Sequence, residues 1–205
     1  MNSRKIAFLI LLVSAMGLNS CGSSPSSTYS LNGIGYSVVT AGTLLHNGTS
    51  VSGTGAIVFS APLSETRSNN GFLLTFTLDD GGKLELVSNA TAQLTSGVTV
   101  RVVRSGAAVT ITTLIGDAST SFSAPFNSGS VDATGSITLQ IDVHNFESPA
   151  HILAWDSTVT APFDEDNALF SSNATAGVGA GSFWGLVLEN AVVSAASTLD
   201  ARFSD

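Results

Sequence analysis

Phe72-Leu73-Leu74-Thr75-Phe76-Thr77-Leu78 decides the class of fold. In an extended chain Phe72, Leu74, Phe76 and Leu78 fall on one side and Leu73, Thr75 and Thr77 on the other, the period-two pattern of a strand with one face in a core. A helix would split the same four apolar side chains between opposite sides of its barrel. Asp79-Asp80-Gly81-Gly82 comes next. Asp-Gly accepts the positive φ angles of a tight hairpin, so 83–88 is expected to return antiparallel with Leu84 and Leu86 inward.

The alternation spreads outward from that stretch and is broken about every ten to fifteen residues by clusters of Gly, Asn, Asp or Pro. Val98, Val100 and Val102 alternate with Thr99 and Arg101 before Ser105-Gly106-Ala107 turns the chain into a second strand at 109–115. Ile137, Leu139, Ile141 and Val143 make an apolar row, and Thr138, Gln140, Asp142 and His144 make a polar row on the reverse, expected to face water. The stretch 183–188 is apolar on both sides, as in a strand covered twice. A closing strand is expected at 199–203, and 191–196 reads either as strand or as a short helix. No internal repeat or domain boundary interrupts the pattern. These features predict an all-β domain: about ten to twelve strands in a two-sheet, antiparallel, jelly-roll-like β-sandwich.

The amino terminus reads differently. Arg4 and Lys5 precede an apolar run at 6–16 that is too short to span a bilayer, and the sole cysteine of the chain stands at position 21. Leu18-Asn19-Ser20-Cys21 resembles the lipobox of bacterial lipoproteins, with Asn19 its one unusual member. The resemblance implies a signal peptide at 1–20, a diacylglyceryl group on the Cys21 sulfur and an acyl chain on its new amino terminus. Gly22 stands where an aspartate would favour inner-membrane retention, so the implied address is the outer membrane. Without processing, Cys21 would be a free thiol or an intermolecular disulfide partner. Gly22-Ser23-Ser24-Pro25-Ser26-Ser27-Thr28 has nothing apolar to bury, so 21–30 is expected to be the lipidated cysteine with a flexible tether, and 31–205 the folded domain.

Charge narrows the partners. Of seven Lys and Arg residues, Arg4 and Lys5 leave with the signal, so five face fifteen Asp and Glu. A chain this acidic has little with which to neutralise phosphates, which argues against nucleic acid, and anionic headgroups would repel it; membrane attachment would fall to the acyl chains.

The most chemically loaded constellation arises if 136–145 and 150–155 pair across the loop Phe146-Glu147-Ser148-Pro149. With His144 opposite His151, Asp142 lies opposite Leu153 and Gln140 opposite Trp155, all on one face. Gln140, Asp142, His144, His151 and Trp155 then offer a ring for stacking and polar groups for hydroxyls, the chemistry of a sugar site. A one-residue slip would send His151 and Trp155 to the other face, and a polar strand row is commonly just solvated. Metal ligation is not expected, since the His spacing matches no zinc pattern. Asp79-Asp80 and Asp164-Glu165-Asp166-Asn167 lack the ligand spacing of a calcium loop and read as solvated turns. The triplets at Asn47, Asn89 and Asn173 match a glycosylation pattern but carry no weight in a chain this rich in Ser and Thr.

Residues 137–155, with Ser182-Phe183-Trp184-Gly185-Leu186-Val187-Leu188-Glu189, resemble strands of concanavalin-type and laminin-G-like jelly rolls, a group with sugar-binding, adhesive and glycosidase members. Its glycosidases carry alternating acids along one strand. Here that row reads Gln140-Ile141-Asp142-Val143-His144, which lacks the acid pair, and no Gly-x-Ser-x-Gly elbow occurs. The expectation is a lipid-anchored envelope protein without enzymatic activity or cofactor. Its ligand would be a carbohydrate at one sheet face; the alternative is a structural or adhesive lipoprotein with a protein partner.

Overall fold

The computed structural model describes residues 28–63, 69–95, 97–115, 118–126, 135–144, 151–156, 159, 163, 165–173 and 181–199. The lipobox with Cys21, the loop at 145–150, Asp164 and the stretch expected as a strand past Leu199 lie outside the described residues. Twelve strands are described, and every pairing among them is antiparallel: β1 (Tyr29–Leu31), β2 (Ile34–Thr40), β3 (Leu45–His46), β4 (Val51–Phe59), β5 (Asn69–Ala90), β6 (Val98–Ser105), β7 (Ala108–Ile115), β8 (Ala118–Phe126), β9 (Ile137–His144), β10 (His151–Asp156), β11 (Phe170–Asn173) and β12 (Phe183–Leu199). β1 takes in Tyr29 and Ser30, which the sequence reading leaves in the tether, and Thr28 N–H already bonds the Tyr36 carbonyl at 3.1 Å.

Two long strands organise the rest. The stretch expected to fold into a hairpin at Asp79–Gly82 instead runs on as the 22-residue β5, and 191–196 belongs to the 17-residue β12, not to a helix. β12 lines one edge of β5 from Phe183↔Ala90 to Leu199↔Gly71. The other edge is divided: 69–76 pairs with β9, and 83–88 pairs with β6. At the division Glu189↔Lys83 is followed by Ala191↔Leu78, so 79–82 stand against Asn190 alone and bulge from the ladder. Gly81 (φ 75°) and Asn190 (φ 49°) supply the left-handed conformations this needs. Asp-Gly thus supplies the positive φ that the sequence advertises, but for a bulge inside one strand and not for a reversal.

The bulge is where the sheet becomes a sandwich. β6, β7 and β8 continue from one half of β5, while β9, β10 and β11 continue from the other. Yet Val98, Val100, Val102 and Ile111 share a single core with Leu139, Ile141, Val143, Ile152 and Ala154. One hydrogen-bonded network with one core requires the sheet to close over itself, and strands that change layer at a bulge make such corners. Phe72, Leu74, Phe76 and Leu78 all point inward as their alternation predicts, and burying a Phe or Leu side chain is worth about 1.5–3 kcal/mol. Trp184 stacks on Phe59 at 3.9 Å and leans on Phe72 at 5.4 Å.

Side chains lace the corner. Asp80 Oδ1 accepts the Gly106 N–H at 2.7 Å, while Arg104 donates to the Leu78 and Gly106 carbonyls at 2.8 and 2.9 Å. The bulge is thereby tied to the β6–β7 hairpin, which turns where Ser105-Gly106-Ala107 is expected to turn it and pairs Ser105 with Ala108. Nearby, Lys83 lies 2.9 Å from Glu189, whose carboxyl it holds below the ordinary range, and Arg101 Nε bonds Glu85 at 2.6 Å.

Candidate functional site

β9 and β10 pair as the sequence suggests, with His144↔His151, Asp142↔Leu153 and Gln140↔Trp155. The pleat therefore puts Gln140, Asp142, His144, His151 and Trp155 on one face, opposite the core-facing Ile141, Val143, Ile152 and Ala154. Gln140 Nε2 donates to Asp142 Oδ1 at 3.2 Å, His144 Nε2 lies 3.9 Å from Asp142 Oδ2, and the two imidazole centroids are 6.4 Å apart. On the next strand inward, β5, the same row meets Leu73 beside Gln140 and Gly71 beside Asp142.

This face is not the wet one anticipated. Asp142 and Trp155 are 0% exposed, and Gln140 and His144 are buried as well. The acidic stretch read as a solvated turn accounts for part of the cover. Its Asn167 Oδ1 accepts the Trp155 indole N–H at 2.8 Å, and Glu165 Oε1 stands 3.1 Å from His151 Nε2, which also contacts Ser171 Oγ at 3.0 Å. Phe163 meets the indole edge-on at 5.5 Å, and Leu169 N–H bonds the Ala154 carbonyl at 2.8 Å. A single strand's polarity pattern carries no information about such a cover, because the segment that supplies it is distant in sequence from β9.

The other singled-out residues have structural work. Asp80 caps the β6–β7 turn. Asn47 Oδ1 accepts the Thr49 and Ser50 N–H groups in an Asx-type turn, and Asn89 is buried with positive φ and accepts from Ser88 Oγ at 2.8 Å. Of Asn173 only the place in β11 is described. Among the described residues no three His, Cys, Asp or Glu side chains are grouped to hold a metal ion.

Sequence reasoning passed over a second cluster. Tyr29 of β1, Tyr36 of β2 and His46 of β3 come together although no motif joins them. Tyr29 and His46 stack with centroids 4.0 Å apart and planes 12° from parallel, and the buried Tyr36 hydroxyl lies 2.7 Å from His46 Nδ1. The one signal available was composition: the two tyrosines of the chain and one of its three histidines fall within 18 residues of each other.

Compared by sequence, the chain matches no family model and no curated protein. By structure it has an antiparallel β-sandwich fold. It resembles carbohydrate-binding module CBM66 from Bacillus subtilis (TM-score 0.52, 14% identity, covering 84% of this chain and 99% of that one) and the CBM2 module of the evolved Dit of Lactobacillus casei BL23 phage J-1 (TM-score 0.52, 9% identity, 81% and 82%). The exoplasmic/lumenal domain of VIP36 in its metal-free form is similar to the same degree (TM-score 0.51, 10% identity, 83% and 86%). Identities this low establish a shared fold and nothing finer.

Proposed function

We propose that this chain is a lipid-anchored protein of the cell envelope, without enzymatic activity, that binds carbohydrate at the β9–β10 face through Gln140, Asp142, His144, His151 and Trp155. One observation carries the reading: Asn167 and Glu165 contact the indole N–H and an imidazole on that face. A carboxamide and a carboxylate oxygen thus sit where sugar oxygens would bond. In this reading the segment from Glu165 to Leu169 stands in for the ligand and is exchanged for it. The neutral Asn167–indole bond is worth about 1 kcal/mol net and the Glu165 carboxylate contact about 1.5–3 kcal/mol, so a ligand must replace both with hydroxyl bonds of its own. The fold likeness to two carbohydrate-binding modules supports the ligand class. Gln140 and His144 stand in the row where a glycosidase of this architecture would carry acids, which supports binding over cleavage.

The second reading is an adhesive or structural lipoprotein with a protein partner. The complete burial of Trp155 favours it, since a closed face offers no ready platform to a sugar. A glycan array probed with the full-length protein, then with Trp155→Ala, separates the two. Sugar binding that falls about tenfold or more in the variant is expected. Binding that survives removes Trp155 from the site, an array with no positive glycan favours the protein partner, and release of reducing ends from a polysaccharide overturns the non-enzymatic assignment.

A further inference from the structure

Tyr29 and His46 of this cluster line an open cleft of about 410 Å³, together with Thr28, Ser37, Val38, Ala41 and Leu44. Its volume lies within the ~300–1,000 Å³ range of small-molecule sites. The 41–44 segment, which contributes to the lining, is held by close backbone approach: Thr43 N–H bonds the Thr54 carbonyl at 2.9 Å, and a Cβ on Gly53 (φ 107°) would collide with the Thr43 carbonyl oxygen. Only glycine there lets the 41–44 segment lie down on β4.

From this geometry we infer a second ligand site, for a neutral saccharide residue, in the cleft between β1, β2 and β3. Three features specify the ligand class. Among the described residues that line the cleft none is Asp, Glu, Lys or Arg, which suits a ligand without strong charge. Tyr29 is 41% exposed and its ring is braced flat by the His46 imidazole behind it, the arrangement that suits stacking against the C–H face of a pyranose. The Tyr36 hydroxyl, 2.7 Å from His46 Nδ1, holds that ring in place against Tyr29, and Thr28 and Ser37, which carry hydroxyls, also line the cleft. Val38 and Leu44 give the cleft an apolar side for the remaining C–H groups. The site is separate from the β9–β10 face and does not depend on it.

The test is a titration of the full-length protein in detergent micelles with maltotriose, cellotriose and mannotriose, following the His46 ring resonances by NMR, with sialyllactose as the charged control. Expected is a saturating shift with at least one of the neutral trisaccharides, and no saturation with the control. Tyr29→Ala is expected to weaken it about tenfold or more. Ala41→Trp changes an exposed residue of the lining and fills the cleft without touching the cluster, so it is expected to abolish the shift even if Tyr29→Ala unfolds β1. No His46 shift with any of the three sugars, or a shift that persists in Ala41→Trp, overturns the assignment. A shift lost in Trp155→Ala and kept in Ala41→Trp would assign the sugar to the β9–β10 face alone.

Discussion

Tyr36 shows how much one side chain can join. It is fully buried, stacks at 5.8 Å on Tyr29, meets Phe59 edge-on and reaches His46 with its hydroxyl. Burial, and next the neighbouring Tyr29, push its phenol above the ordinary value. The sign follows from which form the fold accepts. The neutral phenol is favoured when folded, so this contribution to stability is intact below the unfolded value of about 10 and is lost as pH rises through the higher folded one. Tyr36→Phe is therefore expected to be about 1 kcal/mol less stable near neutral pH, from the lost hydrogen bond, and to close that gap above about pH 10. Urea melts of both proteins across that range check it; curves that stay parallel would refute the assignment. The cluster was illegible from sequence because its members come from three strands whose pairing is fixed by β4, not by any local spacing. The β9–β10 residues were legible, since the polar alternation and a short connection leave few registers that keep Ile141 and Val143 inside.

Among the elements, β5 is the one whose reading changed most. Its inward residues were plain from Phe72 onward, and so was the need for positive φ at the Asp-Gly step. Whether that step reverses the chain or bulges it depends on β12, a partner a hundred residues away that pairs with both halves. Gly81 and Gly82 separate the two demands of the bulge. A Cβ on Gly81 meets nothing within 4 Å but inherits a left-handed φ of 75°. On Gly82 it would come within 2.5 Å of the Asn190 carbonyl oxygen and 2.8 Å of that of Asp79. Gly81→Ala is expected to cost about 1–2 kcal/mol, the ordinary price of left-handed backbone, and Gly82→Ala more than that, because backbone must shift. Chemical denaturation of the two variants checks the order; equal losses would mean that the bulge relaxes freely.

For the molecule as a whole, the envelope assignment rests on a residue outside the described structure. Cys21→Ser is expected to move the protein from the detergent phase to the aqueous phase and to remove the acyl mass from the intact protein, since three chains exceed the two hydrophobic signals that stable anchoring takes. A wild-type protein that already partitions into buffer at its unmodified mass would refute the anchor. If it is anchored, residues 21–28 span at most roughly 25 Å, so the Tyr29 cleft stays near the bilayer surface. The strand order adds a constraint on biogenesis. β12 follows all the other described strands in the chain, yet it sits between β4 and β5 in the middle of the ladder. Until it arrives, those two strands have bare edges and the central wall of the core is missing. Assembly of the described strands thus waits for β12, and until it is made the earlier part of the chain stays open and exposed to aggregation.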